Sequence, residues 1–223
     1  MMILMGMGVV GSKAKVSGVS RFVAGSAIFG ALTYALEISG LSHFLPFPIL
    51  TYLLFDPAEI FVALAYLSMG LKASIFTTFI LVLGLSINID YFSLLILTHT
   101  GIPFFGPFMK GLAIVSTILG LHAFLKYTKK QKISPVILAL SGFIRALAMT
   151  PPNIMFLTYI LPRLPFANQI VDWYTSTMGY ALGISIILSF TALYNFLHSF
   201  FTLVPASIVF DKIYPYLKRK TLV

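Results

Sequence analysis

Six stretches of this chain are apolar on the scale of a bilayer crossing: Phe22 to Leu41, Pro57 to Leu71, Ala73 to Leu97, Gly101 to Leu125, Pro135 to Leu161 and Tyr174 to Tyr214. A helix needs ~20 residues to cross the hydrocarbon core. Within lipid every backbone N–H and C=O must find its partner inside the protein, which leaves helices and closed barrels as the only spanning structures. The pattern predicts an all-α polytopic membrane protein with six transmembrane helices and an irregular outer loop between helices 1 and 2. Composition agrees, with 59% hydrophobic residues, a mean hydropathy of +0.98 and only 9% charged residues. The expected organisation is a cytoplasmic N-terminal tail (1–20), a membrane domain (21–217) and a basic cytoplasmic tail (218–223).

The charges set orientation. Lys13, Lys15 and Arg21, then Lys72, then Lys126, Lys129, Lys130 and Lys132, then Lys212, Lys218, Arg219 and Lys220 fall on alternate connections. Positive-inside bias therefore places both termini in the cytoplasm of a multi-pass cell-membrane protein. The net charge of +9 sits at span ends rather than along a polar face, so it argues for topology and against nucleic acid. The chain has no cysteine, which excludes disulfides and thiolate metal sites.

The segment HFLPFPILTYLLFDPAEIF, His43 to Phe61, is as oily as a span but contains Pro46, Pro48 and Pro57. Two prolines so close deny the backbone two donors, so His43 to Phe55 cannot be a continuous helix. It is either a chain buried in the protein at the wall of a cavity or a greasy loop lying on headgroups. In DPAE, Asp56 is positioned as an N-cap, Pro57 as the first helical residue and Glu59 as the reciprocal N3 partner, so the second helix should begin at Pro57. From there to Gly70 it rises only ~21 Å, short of a ~30 Å core.

Few residues suggest chemistry. HExxH, GxSxG and a phosphate-cradling glycine loop are missing, and GVVGSKAK lacks the strand and spacing of a P-loop. The chain is therefore not expected to be an enzyme or to carry a cofactor. Its ionisable groups read as thinly spread, where an enzyme would cluster them at one depth. His43, His99, His122 and His198 lie in different segments, and no metal is expected. Arg145 stands near mid-membrane, where an ionisable group needs a partner or an aqueous cavity. Just beyond it Pro151 and Pro152 must kink or open the helix beside Asn153, either as a packing kink or as the polar wall of a ligand pocket. Asn195 and His198, three apart, share a helix face and suit either a ligand's amide edge or interhelical hydrogen bonds. Ala27, Ala31 and Ala35 form a small-residue stripe that admits a close helix, internal or from another subunit.

That alanine stripe, FPILTYLLFDPAEIFVALAYLSMG, GPFMKGLAIVSTILG, RALAMTPPNIMFLTYILP, and YNFLHSFFTLVPASI before a basic tail occur in an order that resembles the substrate-binding S-component of an energy-coupling factor (ECF) vitamin transporter, riboflavin-type. The resemblance runs from Arg21 onward. It implies six membrane helices, a high-affinity vitamin site near the outer face with the first loop as its lid, and ligand contacts at Thr51, Tyr52, Leu53 and Leu54, at Asn153 and at Asn195 opening the last helix. Riboflavin-type members often carry lysine where this chain has His198, and the double proline is a further departure. The resemblance also implies that a transmembrane coupling subunit, approached through Ala27, Ala31 and Ala35, and two cytoplasmic ATPase subunits drive uptake. An S-component for another vitamin or small heterocycle, and a membrane enzyme or structural membrane protein, are the alternatives.

The orientation is testable because the chain lacks cysteine. Lys72→Cys and Lys129→Cys should react with an impermeant thiol reagent only after cells are opened, and Asp172→Cys in intact cells. Labelling of position 129 from outside would reverse the topology.

Overall fold

The structure, a computed structural model, describes residues 18–41, 45–89, 91–128, 133–164 and 174–221. Residues 1–17 and 222–223 of the two tails, His43, and the positions Lys13, Lys15, Lys129, Lys130, Lys132 and Asp172 used for orientation and its test lie outside them. The described chain is helical: α1 (Gly18–Ile38), α2 (Glu59–Met69), α3 (Leu71–Ile87), α4 (Tyr91–Thr100), α5 (Phe105–Thr128), α6 (Pro135–Met155) and α7 (Tyr180–Thr221). Among the described residues, four runs are long and apolar enough to cross a membrane: Gly18–Ile38, Phe105–Thr128, Pro135–Arg163 and Tyr180–Ile213. By the same measure α2 and α3 are apolar but shorter.

Contacts run in a ring, α1 against α3, α3 against α5, α5 against α6, α6 against α7, α7 against α2 and α2 back to α1, with α2 also touching α3 and α5. That makes α2 the inner helix, and its sequence suits the place: Val62, Ala63 and Ala65 are fully buried and Tyr66 nearly so. The outer helices invert the pattern of a water-soluble bundle. Ile28, Phe79, Phe108, Phe143 and Leu182 are all more than half exposed, whereas Ser26, Thr33, Thr77, Thr117, Ser141, Ser199 and Thr202 are buried. Many of these hydroxyls satisfy themselves on their own helix, as Thr33 does on the Phe29 carbonyl (2.7 Å) and Ser141 on that of Ile137 (2.7 Å). They cost little when buried and let backbones approach, while the apolar shell matches lipid.

Glycines set the closest approaches. A Cβ on Gly142 of α6 would stand 2.5 Å from Ser199 Oγ and 3.0 Å from the Phe196 carbonyl oxygen of α7. One on Gly120 of α5 would lie 3.1 Å from Ser141 Cα of α6.

Several boundaries differ from the apolar runs, each for a local reason. The third run breaks after Ile87, where Asn88 leaves helical geometry (φ −99°, ψ 79°), and resumes as α4. The fourth starts at Phe105, after Gly101 and Phe104 turn the chain with positive φ. The last does not open at Asn195: one 42-residue helix begins at Tyr180, just after Gly179 takes φ 81°, and Asn195 lies well inside it. The prolines of α6 do not end that helix. It starts cleanly, with Ser134 as N-cap and Pro135 in the first turn, and runs through Pro151 and Pro152 into a π-helical turn, Phe156–Ile160.

The glycine contact gives a first structural prediction. Gly142→Val should force α6 from α7 and lower the unfolding temperature in detergent, at a cost of about 1–3 kcal/mol. Gly18→Ala, where a Cβ meets nothing within 4 Å, should leave it unchanged.

Candidate functional site

The chain between α1 and α2 folds back on itself. Phe47 N–H donates to the Leu53 carbonyl (2.7 Å), Phe55 N–H to that of Leu45 (2.8 Å), and Leu53 N–H closes the tip on Leu50 (2.9 Å). Pro46 faces Leu54 in an isolated bridge. This tongue is packed into the protein through Phe47 (4% exposed) and Leu50 (1%). Aromatic contacts join Phe47 and Phe55 to Tyr194 of α7, at centroid distances of 5.7 and 5.3 Å. The Tyr194 hydroxyl donates to the Leu54 carbonyl (2.5 Å).

Beneath the tongue lies a layer of charge. Arg145, 2% exposed, sends Nη1 to Glu59 Oε2 (2.5 Å) and Nη2 to Glu59 Oε1 (3.1 Å), a two-pronged pair between α6 and α2. Its remaining donors reach Thr117 Oγ1 of α5 (3.2 Å) and Asn195 Oδ1 of α7 (3.4 Å), and Nη2 also lies 3.2 Å from His198 Nδ1. Thr202 donates to the same Glu59 carboxylate (3.3 Å). Lys110 of α5 is the second cation. It is paired with Asp56 at the end of the tongue, stands 3.1 Å from Glu37 at the end of α1, and lies 3.8 Å from Glu59. The His198 ring touches both systems, accepting from Asp56 N–H at Nε2 (3.3 Å) and meeting the Tyr194 hydroxyl at Nδ1 (2.9 Å).

The layer separates two apolar clusters. On the tongue side are Phe47, Leu50, Phe105, Phe156 and Ile187; on the other are Val62, Tyr66, Ile118, Leu121 and Leu203. Opening onto the charges is a cavity of ≈ 840 Å³, lined among others by Tyr52, Leu53, Leu54, Glu37, Lys110, Arg145, Asn153, Asn195 and His198. A more apolar chamber of ≈ 150 Å³ adjoins it, walled by Tyr52, Phe105, Met109, Phe156 and Leu157, with Asn153 and Thr191 as polar members. Phe105 and Phe156 stack there at 6.0 Å, with Tyr52 6.5 Å from Phe156. Burial pushes the Tyr52 phenol up to about 12, so it stays protonated and can donate.

Six of the seven residues expected to hold ligand, Tyr52, Leu53, Leu54, Asn153, Asn195 and His198, line this one cavity; Thr51 is exposed at the tongue tip. Their chemistry differs from residue to residue. Asn195 is already occupied, its amide donating to the Thr191 carbonyl (2.9 Å) and its oxygen facing Arg145. His198 is held within the charge layer. Asn153, only 8% exposed, has no side-chain hydrogen bond among the described residues and lines both chambers. Ala27, Ala31 and Ala35 lie on the exposed face of α1, while Ser26, Gly30 and Thr33 occupy its buried face.

Two sequence readings are corrected. The ionisable groups are not thinly spread, because Glu37, Asp56, Glu59, Lys110, Arg145 and His198 meet at one level. The reciprocal cap does not form either: Asp56 Oδ1 accepts from Ala58 N–H (2.8 Å), but Glu59 opens α2 and turns to Arg145. A signal was present in the sequence. Lys110 and Thr117 are seven apart, Arg145, Met149 and Asn153 four apart, and Thr191, Asn195, His198 and Thr202 three or four apart, spacings that put polar groups on one face of each helix.

Comparison with family models, with curated proteins and with solved structures gives no match to this chain.

Removing one member of a buried ion pair leaves the other charge uncompensated, at a cost of about 3–5 kcal/mol. Arg145→Met should therefore lower the unfolding temperature sharply, and Arg145→Met with Glu59→Leu should recover much of the loss. A double variant no more stable than Arg145→Met would show that the two residues are not energetically coupled.

Proposed function

We propose that the protein is the vitamin-binding membrane subunit of an ECF-type uptake transporter, with riboflavin as its ligand. The observation that carries this reading is Asn153, buried and without a side-chain partner among the described residues, at the wall of a largely apolar cavity roofed by Tyr52, Leu53 and Leu54. An amide supplies both donor and acceptor, which matches the imide edge of an isoalloxazine ring. A mostly preformed apolar cavity with a few placed polar groups is the usual form of a small-molecule site, and ≈ 840 Å³ falls in the range of about 300–1,000 Å³. Tyr52, Phe105 and Phe156 supply flat surfaces for its faces.

In this reading the shorter α2 and α3 also cross the membrane, giving six spans with both termini cytoplasmic. The tongue is then the outer lid. The exposed face carrying Ala27, Ala31 and Ala35 supports docking of a transmembrane coupling subunit, since small residues allow backbones to approach, and the ATPase subunits supply the energy. The clustered charges are the observation on the side of an enzyme. Against it, the Arg145 donors and both Glu59 oxygens are engaged with neighbours, as befits a layer that holds helices together. An S-component for another heterocycle fits the same cavity and is separated by a ligand panel.

The test is titration of the purified protein by quenching of flavin fluorescence. The parent should bind, and Asn153→Ala should weaken binding by about tenfold to a hundredfold, the ~1–3 kcal/mol cost of an unsatisfied buried group. Asn195→Ala should cost stability as well, since its amide is built into the charge layer. Binding by Asn153→Ala equal to the parent's would move the pocket elsewhere, and a parent that binds no flavin would remove the riboflavin assignment.

A further inference from the structure

The charge layer limits what the cavity can admit. Three carboxylates, Glu37, Asp56 and Glu59, share two basic side chains, and each of these is committed: Arg145 to Glu59, and Lys110 to Asp56 with Glu37 at 3.1 Å. Glu37, Glu59, Lys110 and Arg145 all line the cavity. We infer that this site selects an uncharged ligand and rejects the phosphorylated or carboxylated form of the same heterocycle, with Glu37 as the specificity-determining residue.

The inference rests on the flavin reading of the site and adds a direction to it. An arriving anion would find no free cation among the described residues that line the cavity. It would have to take Lys110 from its carboxylates or lie beside a surplus negative charge. One unit charge at ~8 Å and an effective dielectric constant of ~20 weakens binding on the order of 30-fold, and burial leaves salt little scope to screen it. A neutral polyhydroxyl chain meets no such penalty, and Asn88 and Tyr91 also line the cavity with uncharged hydrogen-bonding groups. Glu37 is the member that unbalances the set. It sits at the C-terminal end of α1, where a carboxylate opposes the helix dipole, and its side chain is 20% exposed, so Glu37→Gln is a mild change.

The experiment compares riboflavin with riboflavin 5′-phosphate on the full chain in detergent, by fluorescence quenching. The readout is the ratio of the two dissociation constants within each variant, so a general loss of affinity cancels. On the parent the phosphate should bind at least ~10-fold more weakly, and a neutral 5′-ester of similar length should bind like riboflavin, separating charge from size. Glu37→Gln should bring the ratio down about tenfold. A parent ratio within threefold, a neutral ester rejected as strongly as the phosphate, or a ratio unmoved by Glu37→Gln each overturns the inference while leaving the flavin reading in place. Failure of the parent to bind either flavin removes the reading and the inference together.

Discussion

The pairing of Arg145 with Glu59 is the interaction on which the rest of the molecule is arranged. A guanidinium halfway along an apolar helix has no bulk water to fall back on, and leaving it unpaired would cost more than any single apolar contact could return. Its five N–H groups need acceptors from several directions at once. Glu59 answers from α2, Thr117 from α5, and Asn195 from α7. That requirement draws α2 into the middle of the ring and gives α7 a polar stripe along an otherwise oily helix. The apolar clusters on either side then pack against a polar layer whose geometry is already set.

The tongue is the second consequence. Pro46 and Pro48 lack donors, so the segment cannot be a helix, yet its other backbone groups need partners. It supplies them by folding on itself and by accepting the Tyr194 hydroxyl. Its end is tied by Asp56, which at once caps the turn into α2, pairs with Lys110 and donates its N–H to His198. The roof of the cavity and the charge layer are thus one connected structure.

Which parts could be read from the chain follows from the range of the forces involved. Helix-forming runs were visible because apolarity over some twenty residues is a local property, and Arg145 was visible because a lone charge in such a run is conspicuous. Glu59 was misread because its three-residue spacing from Asp56 satisfies a local capping rule, while the partner that outbids the cap lies 86 positions away. Lys110, nine residues inside the run Gly101 to Leu125, shows no partner in its own neighbourhood of the chain, and only the fold brings Glu37 and Asp56 to it. The continuity of α7 was hidden for the opposite reason, since the lack of turn residues in ILSFTALYNFLHSFF is weak information until Gly179 is seen to make the break.

That unbroken helix has a mechanical side. At 42 residues and ~1.5 Å per residue, α7 is about 63 Å long, roughly twice the thickness of a hydrocarbon core, so a bilayer would hold it only tilted, projecting beyond the core, or both. Its polar stripe is placed like a fulcrum. From His198 to Lys212 the lever arm is ~20 Å, which means that a rotation of about 10° about the charge layer carries the far end some 3–4 Å. Pro205, which withdraws one backbone hydrogen bond from that arm, is where such a rod would bend first, and it divides the rigid half that lines the cavity from the half that leads to the basic end.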